Sequence, residues 1–100
     1  MYAQMYEVQQ ISDFIHAREY LSDGDVVVVE CSHQCNVLVM DDMNFQNYRR
    51  GERYRYFGGF FNRLPARISV PGSGYWNTVI DLGGGRASIR YNMGYLKAAA

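Results

Sequence analysis

The sequence predicts a mainly β protein: an antiparallel β-sandwich or small barrel of about six strands, with one short helix. Three observations carry that prediction. Tyrosine, phenylalanine, valine and isoleucine suit a pleated, half-buried surface, and the chain has nine tyrosines and 15% aromatic residues. Short apolar or alternating runs are separated by Gly- and Pro-containing turns at close, regular spacing. No run alternates with helical segments in the βαβ manner that a parallel sheet requires. One hundred residues is the size of one domain, and 48% apolar composition fills one core with little room for a deep cleft. Residues 1–97 read as that domain, and residues 98–100 as the remnant of an expression tag.

Residues 2–21 are ambiguous; Val8, Ile11, Phe14 and Ile15 give only a weak helical stripe. After the turn Asp23-Gly24-Asp25, the β-branched run Val26–Cys31 reads as a buried strand. Ser32-His33-Gln34 returns the chain into Asn36–Met40, and the two runs are expected to pair as a hairpin. Asp41 and Asp42 each offer an N-cap for a brief helix that puts Phe45 and Tyr48 on one face, with Gly51 as the stop. Arg53-Tyr54-Arg55-Tyr56 alternates with period two and reads as a strand broken by Gly58-Gly59. Ala66–Val70 alternates cleanly, with Ala66, Ile68 and Val70 inward. Beyond the Pro71–Gly74 turn, Tyr75–Leu82 places Trp76, Thr78, Ile80 and Leu82 on one face. Gly83-Gly84-Gly85 turns into a last strand, with Ala87, Ile89, Tyr91 and Met93 inward.

Composition narrows function by exclusion. No apolar run approaches the ~20 residues that cross a bilayer, and the first residues lack a basic end followed by an apolar block. The expectation is a cytoplasmic protein with no membrane partner and with reduced thiols. Net charge is zero, yet residues 1–48 sum to −7 and residues 49–100 to +7, and nine of the ten bases are arginine. Such asymmetry fits a polyanion site or head-to-tail homo-oligomer, unless the fold interleaves the two halves.

The densest feature is the segment 45–61, which holds seven aromatic residues together with Arg49, Arg50, Arg53 and Arg55. Tyrosine and arginine anchor interfaces, because they bring large contact area and directional polar groups. The same mixture would stack bases and neutralise phosphates of single-stranded nucleic acid. Alternation alternatively sends Tyr54 and Tyr56 into the core. Tyr75 and the only tryptophan, Trp76, follow the Gly72-Ser73-Gly74 turn, where they serve either as core or as a ligand platform. The candidate contact set is therefore Tyr48, Arg49, Arg50, Arg53, Arg55, Tyr75 and Trp76.

Cys31 and Cys35 flank His33, and with the distant His16 they would make a four-ligand zinc set. The spacing lacks the second cysteine pair of a structural zinc site, so two free thiols is the favoured reading, ahead of a disulfide and of zinc. No nucleophile elbow, phosphate loop or metalloprotease helix is present, and the Gly83–Gly85 run lies between strands. A small hydrolase around Asp41, Asp42 and His33 is the most distant alternative.

The series Asn36-Val37-Leu38-Val39-Met40-Asp41-Asp42-Met43-Asn44-Phe45, Tyr48-Arg49-Arg50-Gly51, Tyr56-Phe57-Gly58-Gly59, Gly74-Tyr75-Trp76 and Ile80-Asp81-Leu82-Gly83-Gly84 resembles the bacterial domain-of-unknown-function family 1883. The resemblance spans roughly residues 14–96. It implies no catalytic residues and no cofactor. Some family members resemble modules joined to Toll/interleukin-receptor-type domains, which implies a sensing or interaction role. The expected function is thus a non-catalytic binding module for a protein or small-molecule ligand, with single-stranded nucleic acid as the alternative.

Overall fold

A computed structural model describes residues 2–9, 14–81 and 88–98. The chain folds as a sandwich of two four-stranded antiparallel sheets. The strands are β1 (Tyr2–Gln9), β2 (Phe14–Leu21), β3 (Val26–Cys31), β4 (Cys35–Asp41), β5 (Phe57–Phe61), β6 (Ala66–Ser69), β7 (Gly74–Asp81) and β8 (Ser88–Leu96). The helix α1 (Asp42–Arg50) joins β4 to β5. One sheet has the order β1-β8-β3-β6 and the other β2-β7-β4-β5.

Alternation along the strands builds the interior. Val27 and Val29 of β3, Ala66 and Ile68 of β6, and Ile89 and Met93 of β8 meet Ile15, Val37, Val39 and Ile80 from the opposing sheet. Ile68 and Val70 point inward with Ala66, and Tyr91 packs against the same cluster, as the alternation of those runs requires. Strands β4 and β7 are buried on their second face as well. Leu38, Met40 and Val79 point outward and are covered by Phe45 of α1. That cover explains why 36–40 reads as a continuous apolar run rather than an alternating one. Leu82, the Gly83–Gly85 turn, Ala87 and Ile11 lie outside the described residues.

Three expectations are corrected. Residues 2–9 and 14–21 are strands, each at one edge of a sheet. In β2 the inward positions are Ile15, Ala17 and Leu21, while Glu19 between them is exposed at the strand's end and interrupts the period-two signal. Next, β3 and β4 are not a hairpin. They lie in different sheets, so Val27 and Val29 face Val37 and Val39 across the core instead of lying beside them. Ser32–Gln34 is thus a crossing between layers, which stand ~10 Å apart in such sandwiches. Finally, Arg53–Tyr56 is not a strand. Glu52 N–H donates to the Asn47 carbonyl at 2.9 Å and Arg55 N–H to Asn44 Oδ1 at 2.8 Å, so the helix takes up this backbone before a ladder can. The strand β5 begins only at Phe57 and contains Gly58 and Gly59 rather than ending at them.

The helix has the caps its sequence announces. Asp41 is the N-cap, its Oδ1 accepting from Asn44 N–H at 2.9 Å, and Gly51 closes the helix in the left-handed region at φ 73°. The Asp23–Asp25 turn has a tighter function than its composition shows. Asp25 is 1% exposed and its carboxylate accepts from Ser22 N–H at 2.8 Å, Lys97 Nζ at 3.2 Å and Ala98 N–H at 2.8 Å. Ala98, read from sequence as part of a tag remnant, therefore helps Lys97 to satisfy a buried acid.

Candidate functional site

The helix crosses the outer face of its sheet over the paired strands β2 and β7. Their outward residues form four rungs: Phe14 with Asp81, His16 with Val79, Arg18 with Asn77, and Tyr20 with Tyr75. One helix residue meets each of the first three. Tyr48 donates its hydroxyl to Asp81 Oδ2 at 2.7 Å and packs edge-on to Phe14. Phe45 stacks on the His16 ring at 3.9 Å between centroids. Asp42 accepts from Arg18 Nε at 3.0 Å, Arg18 Nη2 at 2.8 Å and Asn77 Nδ2 at 2.8 Å. Those charge-assisted bonds hold the Asp42 carboxyl down at about 2. The Arg18 guanidinium also lies 3.8 Å over the Tyr75 ring.

At the N-terminal end of α1 the surface opens into two adjoining cavities that share Asp41 and Trp76. The larger, of about 640 Å³, is floored by Met40 and lined by Asp41 and Asn44 on one side and Tyr54–Phe57 on the other. The smaller, of about 420 Å³, runs from Asp42 and Met43 to Ser73 and Tyr75. Asn44 joins the walls of the larger one. It donates to Asp41 Oδ1 at 2.8 Å and accepts the Arg55 N–H. Trp76 is half-buried and edge-on to Phe57, and its indole N–H donates to the Gly72 carbonyl at 2.9 Å. The indole donor is thus engaged within the chain. Next to the groove Tyr56 and Phe57 are each 46% exposed and Phe60 is 61% exposed. Among the described residues strand β5, which carries both phenylalanines, pairs with β4 alone and is the outer strand of its sheet.

The seven residues singled out from sequence do not converge. Arg55 and Trp76 line the larger cavity, and Tyr75 and Trp76 the smaller. Tyr48 lies at the other end of the helix, half-buried beneath it. Arg49 and Arg50 stand exposed in the last helical turn, where cations suit the helix dipole, and Arg53 is exposed beyond Gly51. Met40, Asn44 and Pro71 were not singled out, Asp41 was read as a helix cap and in the hydrolase alternative rather than as a contact, and Phe57 was marked only by its place in the aromatic-dense segment. Tyr54 is half-buried between Tyr48 and Tyr56, and burial pushes its phenol up.

The zinc set does not assemble, because His16 stacks on Phe45 outside the sandwich while Cys31, His33 and Cys35 sit at the crossing between sheets. Among the described residues no cluster of three metal-ligating side chains occurs. Asp41 and Asp42 are engaged as cap and ion pair, and His33 is in the connection at the opposite end of β4. Among the described residues, no helix is long and apolar enough to cross a membrane.

The sequence profile described as "domain of unknown function (DUF1883)" matches residues 12–97. No curated protein and no solved structure matches the chain.

Proposed function

The chain belongs to the DUF1883 family, and from that premise we propose that it is a non-catalytic binding module whose groove at the start of α1 takes an extended segment of a partner protein. One observation carries the reading: an aromatic-lined groove of about 640 Å³ opens beside an outer strand whose Phe57 and Phe60 side chains are exposed. An outer strand offers main-chain donors and acceptors to an added strand, and the pocket beside it reads a side chain. Asp41 and Arg55 give the groove one acid and one base, which orient a peptide without selecting a highly charged one. This reading takes the domain to work in a bacterial cytoplasm, in line with its two free thiols.

Trp76, the only tryptophan, reports directly on the groove. The test is selection from a displayed library of extended peptides, followed by titration of Trp76 emission with the selected sequence. Saturable binding that Tyr56→Ala or Phe57→Ala weakens at least tenfold supports the proposal. Binding unaffected by both variants refutes it. A second reading, single-stranded nucleic acid on Arg49, Arg50, Arg53 and Arg55, is favoured by Glu52 being the sole acid between residues 43 and 80. It requires oligonucleotide affinity that falls steeply with salt, by ~0.7 of a log unit per log unit for each phosphate neutralised.

A further inference from the structure

The crossing between the two sheets carries chemistry that the groove does not use. Cys31 ends β3 in one sheet and Cys35 begins β4 in the other, so the pair spans the corner of the sandwich. Both are free thiols within hydrogen-bonding reach of each other, Cys35 buried and Cys31 half-exposed. Cys31 lines a separate cavity of about 320 Å³ with Glu30, Ser32, Arg90, Tyr91 and Asn92. The crossing is held against β8 on both sides of Ser32. Ser32 N–H donates to the Arg90 carbonyl at 2.8 Å, and Arg90 N–H donates to Ser32 Oγ at 3.1 Å. Asn92 Oδ1 is buried with no hydrogen-bond partner among the described residues.

We propose that Cys31 and Cys35 are a thiol–disulfide couple that exchanges with a low-molecular-weight disulfide of the glutathione type admitted to this cavity. The Cys31 thiolate attacks one sulfur of the disulfide; a new S–S bond forms, the old one breaks, and one small thiolate leaves and takes up a proton. The Cys35 thiol then loses its proton and attacks the Cys31 sulfur, displacing the second small thiol. Two protein thiols are oxidised to one disulfide, and one small disulfide is reduced to two thiols. The surroundings divide the roles. The Cys35 S–H donates to the Cys31 sulfur and the His33 backbone N–H adds to it, lowering the Cys31 thiol, while the same hydrogen bond and burial push the Cys35 thiol up. Cys31 is therefore the attacking group and Cys35 the resolving one.

The experiment incubates the reduced chain with oxidised glutathione at pH 6 and follows the intact mass with time. The expected product is a monomer that has lost two hydrogens, preceded by a single glutathionyl adduct on Cys31. Cys35→Ala should stop at that adduct, and Cys31→Ser should form neither species. A thiol held below the ordinary range is more ionised at pH 6 than an unperturbed one, a gain that its lower nucleophilicity only partly offsets, so Cys31 should react faster than an unperturbed thiol. Should Cys35→Ala fail to fold, the adduct preceding the disulfide in the unmodified chain decides the order. Reaction at the rate of an unperturbed thiol, first attack at Cys35, or covalent dimers in place of the monomeric disulfide would each overturn the proposal.

Discussion

Gly58 tests how the groove wall is built. Strand β5 lies so close to β4 that a Cβ added at Gly58 would sit 2.1 Å from the Val37 carbonyl oxygen, and Gly58 has φ 110°. Its neighbour Gly59 has φ 143° but nothing within 4 Å of an added Cβ. The two glycines therefore separate backbone strain from collision. Gly59→Ala should lose only the strain, ~1–3 kcal/mol for a side chain in so sparsely populated a region. Gly58→Ala meets the same strain and a backbone atom that cannot swing away, because Leu38 and Val37 pair with Gly58 and Gly59 in the ladder. We expect a loss above ~4 kcal/mol, a large part of the ~5–15 kcal/mol that holds a domain together. In thermal melts followed by Trp76 emission and far-ultraviolet dichroism, Gly59→Ala should lower the midpoint by ~5–20 °C, at ~4–8 °C per kcal/mol. Gly58→Ala should unfold the protein near room temperature. If the two variants differ by less than about 1 kcal/mol, the close approach of β5 to β4 is wrong, and with it the position of Phe57 in the groove.

Phe45→Ala should destabilise by ~3–5 kcal/mol, because the ring is 6% exposed and is the one fully buried side chain joining α1 to Leu38, Met40 and Val79; a denaturant melt measures it. Asp41→Ala removes the acceptor for Asn44 N–H and should lower stability by ~1 kcal/mol, with Asp41→Ser restoring most of it. Asp42 and Asp25 both have carboxyls held below their unfolded values, by Arg18 with Asn77 and by the Ala98 and Ser22 N–H groups respectively. The stability they add is thus fully present above about pH 4 and is lost as pH falls below it, for Asp42 toward about 2. Thermal midpoints across that range should fall less steeply in Asp42→Asn than in the parent, by a small margin because solvent screens the exposed Arg18 pair.

Local chemistry was legible and layer assignment was not. Asp41 and Gly51 announce the helix because capping is satisfied within a few residues of the chain. The alternation of Ala66–Val70 and Ile89–Met93 announces their inward faces for the same reason. Whether Val26–Cys31 lies beside Cys35–Asp41 or opposite it depends on partners distant in sequence: Val26 through Cys31 pair with Leu96 through Tyr91. Nothing in the three-residue connection Ser32–Gln34 distinguishes a hairpin from a crossing. The candidate site was half legible. Its aromatic residues stand out by density, but density cannot separate Tyr48, bound to Asp81 beneath the helix, from Tyr56 at the groove mouth. That distinction needs the loop to fold back along α1, and the bond from Arg55 N–H to Asn44 Oδ1 that secures it joins positions with no shared pattern.

The extent of the open surface follows from the lengths of the two elements that form it. The outward positions of β2 from Phe14 to Tyr20 span ~20 Å at ~3.4 Å per residue. The nine residues of α1 cover only ~13 Å at ~1.5 Å each. About one rung of the sheet is therefore left over, and it is left at the N-terminal end, where Tyr20 and Tyr75 stand exposed at 52% and 49%. The helix cannot lengthen to cover them. Asp41 is still paired with Trp76 as the last residue of β4 while its side chain already caps α1, so strand and helix meet with no residue between them. The residue that ends the strand thus fixes where the helix starts, and the Tyr75–Trp76 surface stays open for as long as Asp41 holds both positions.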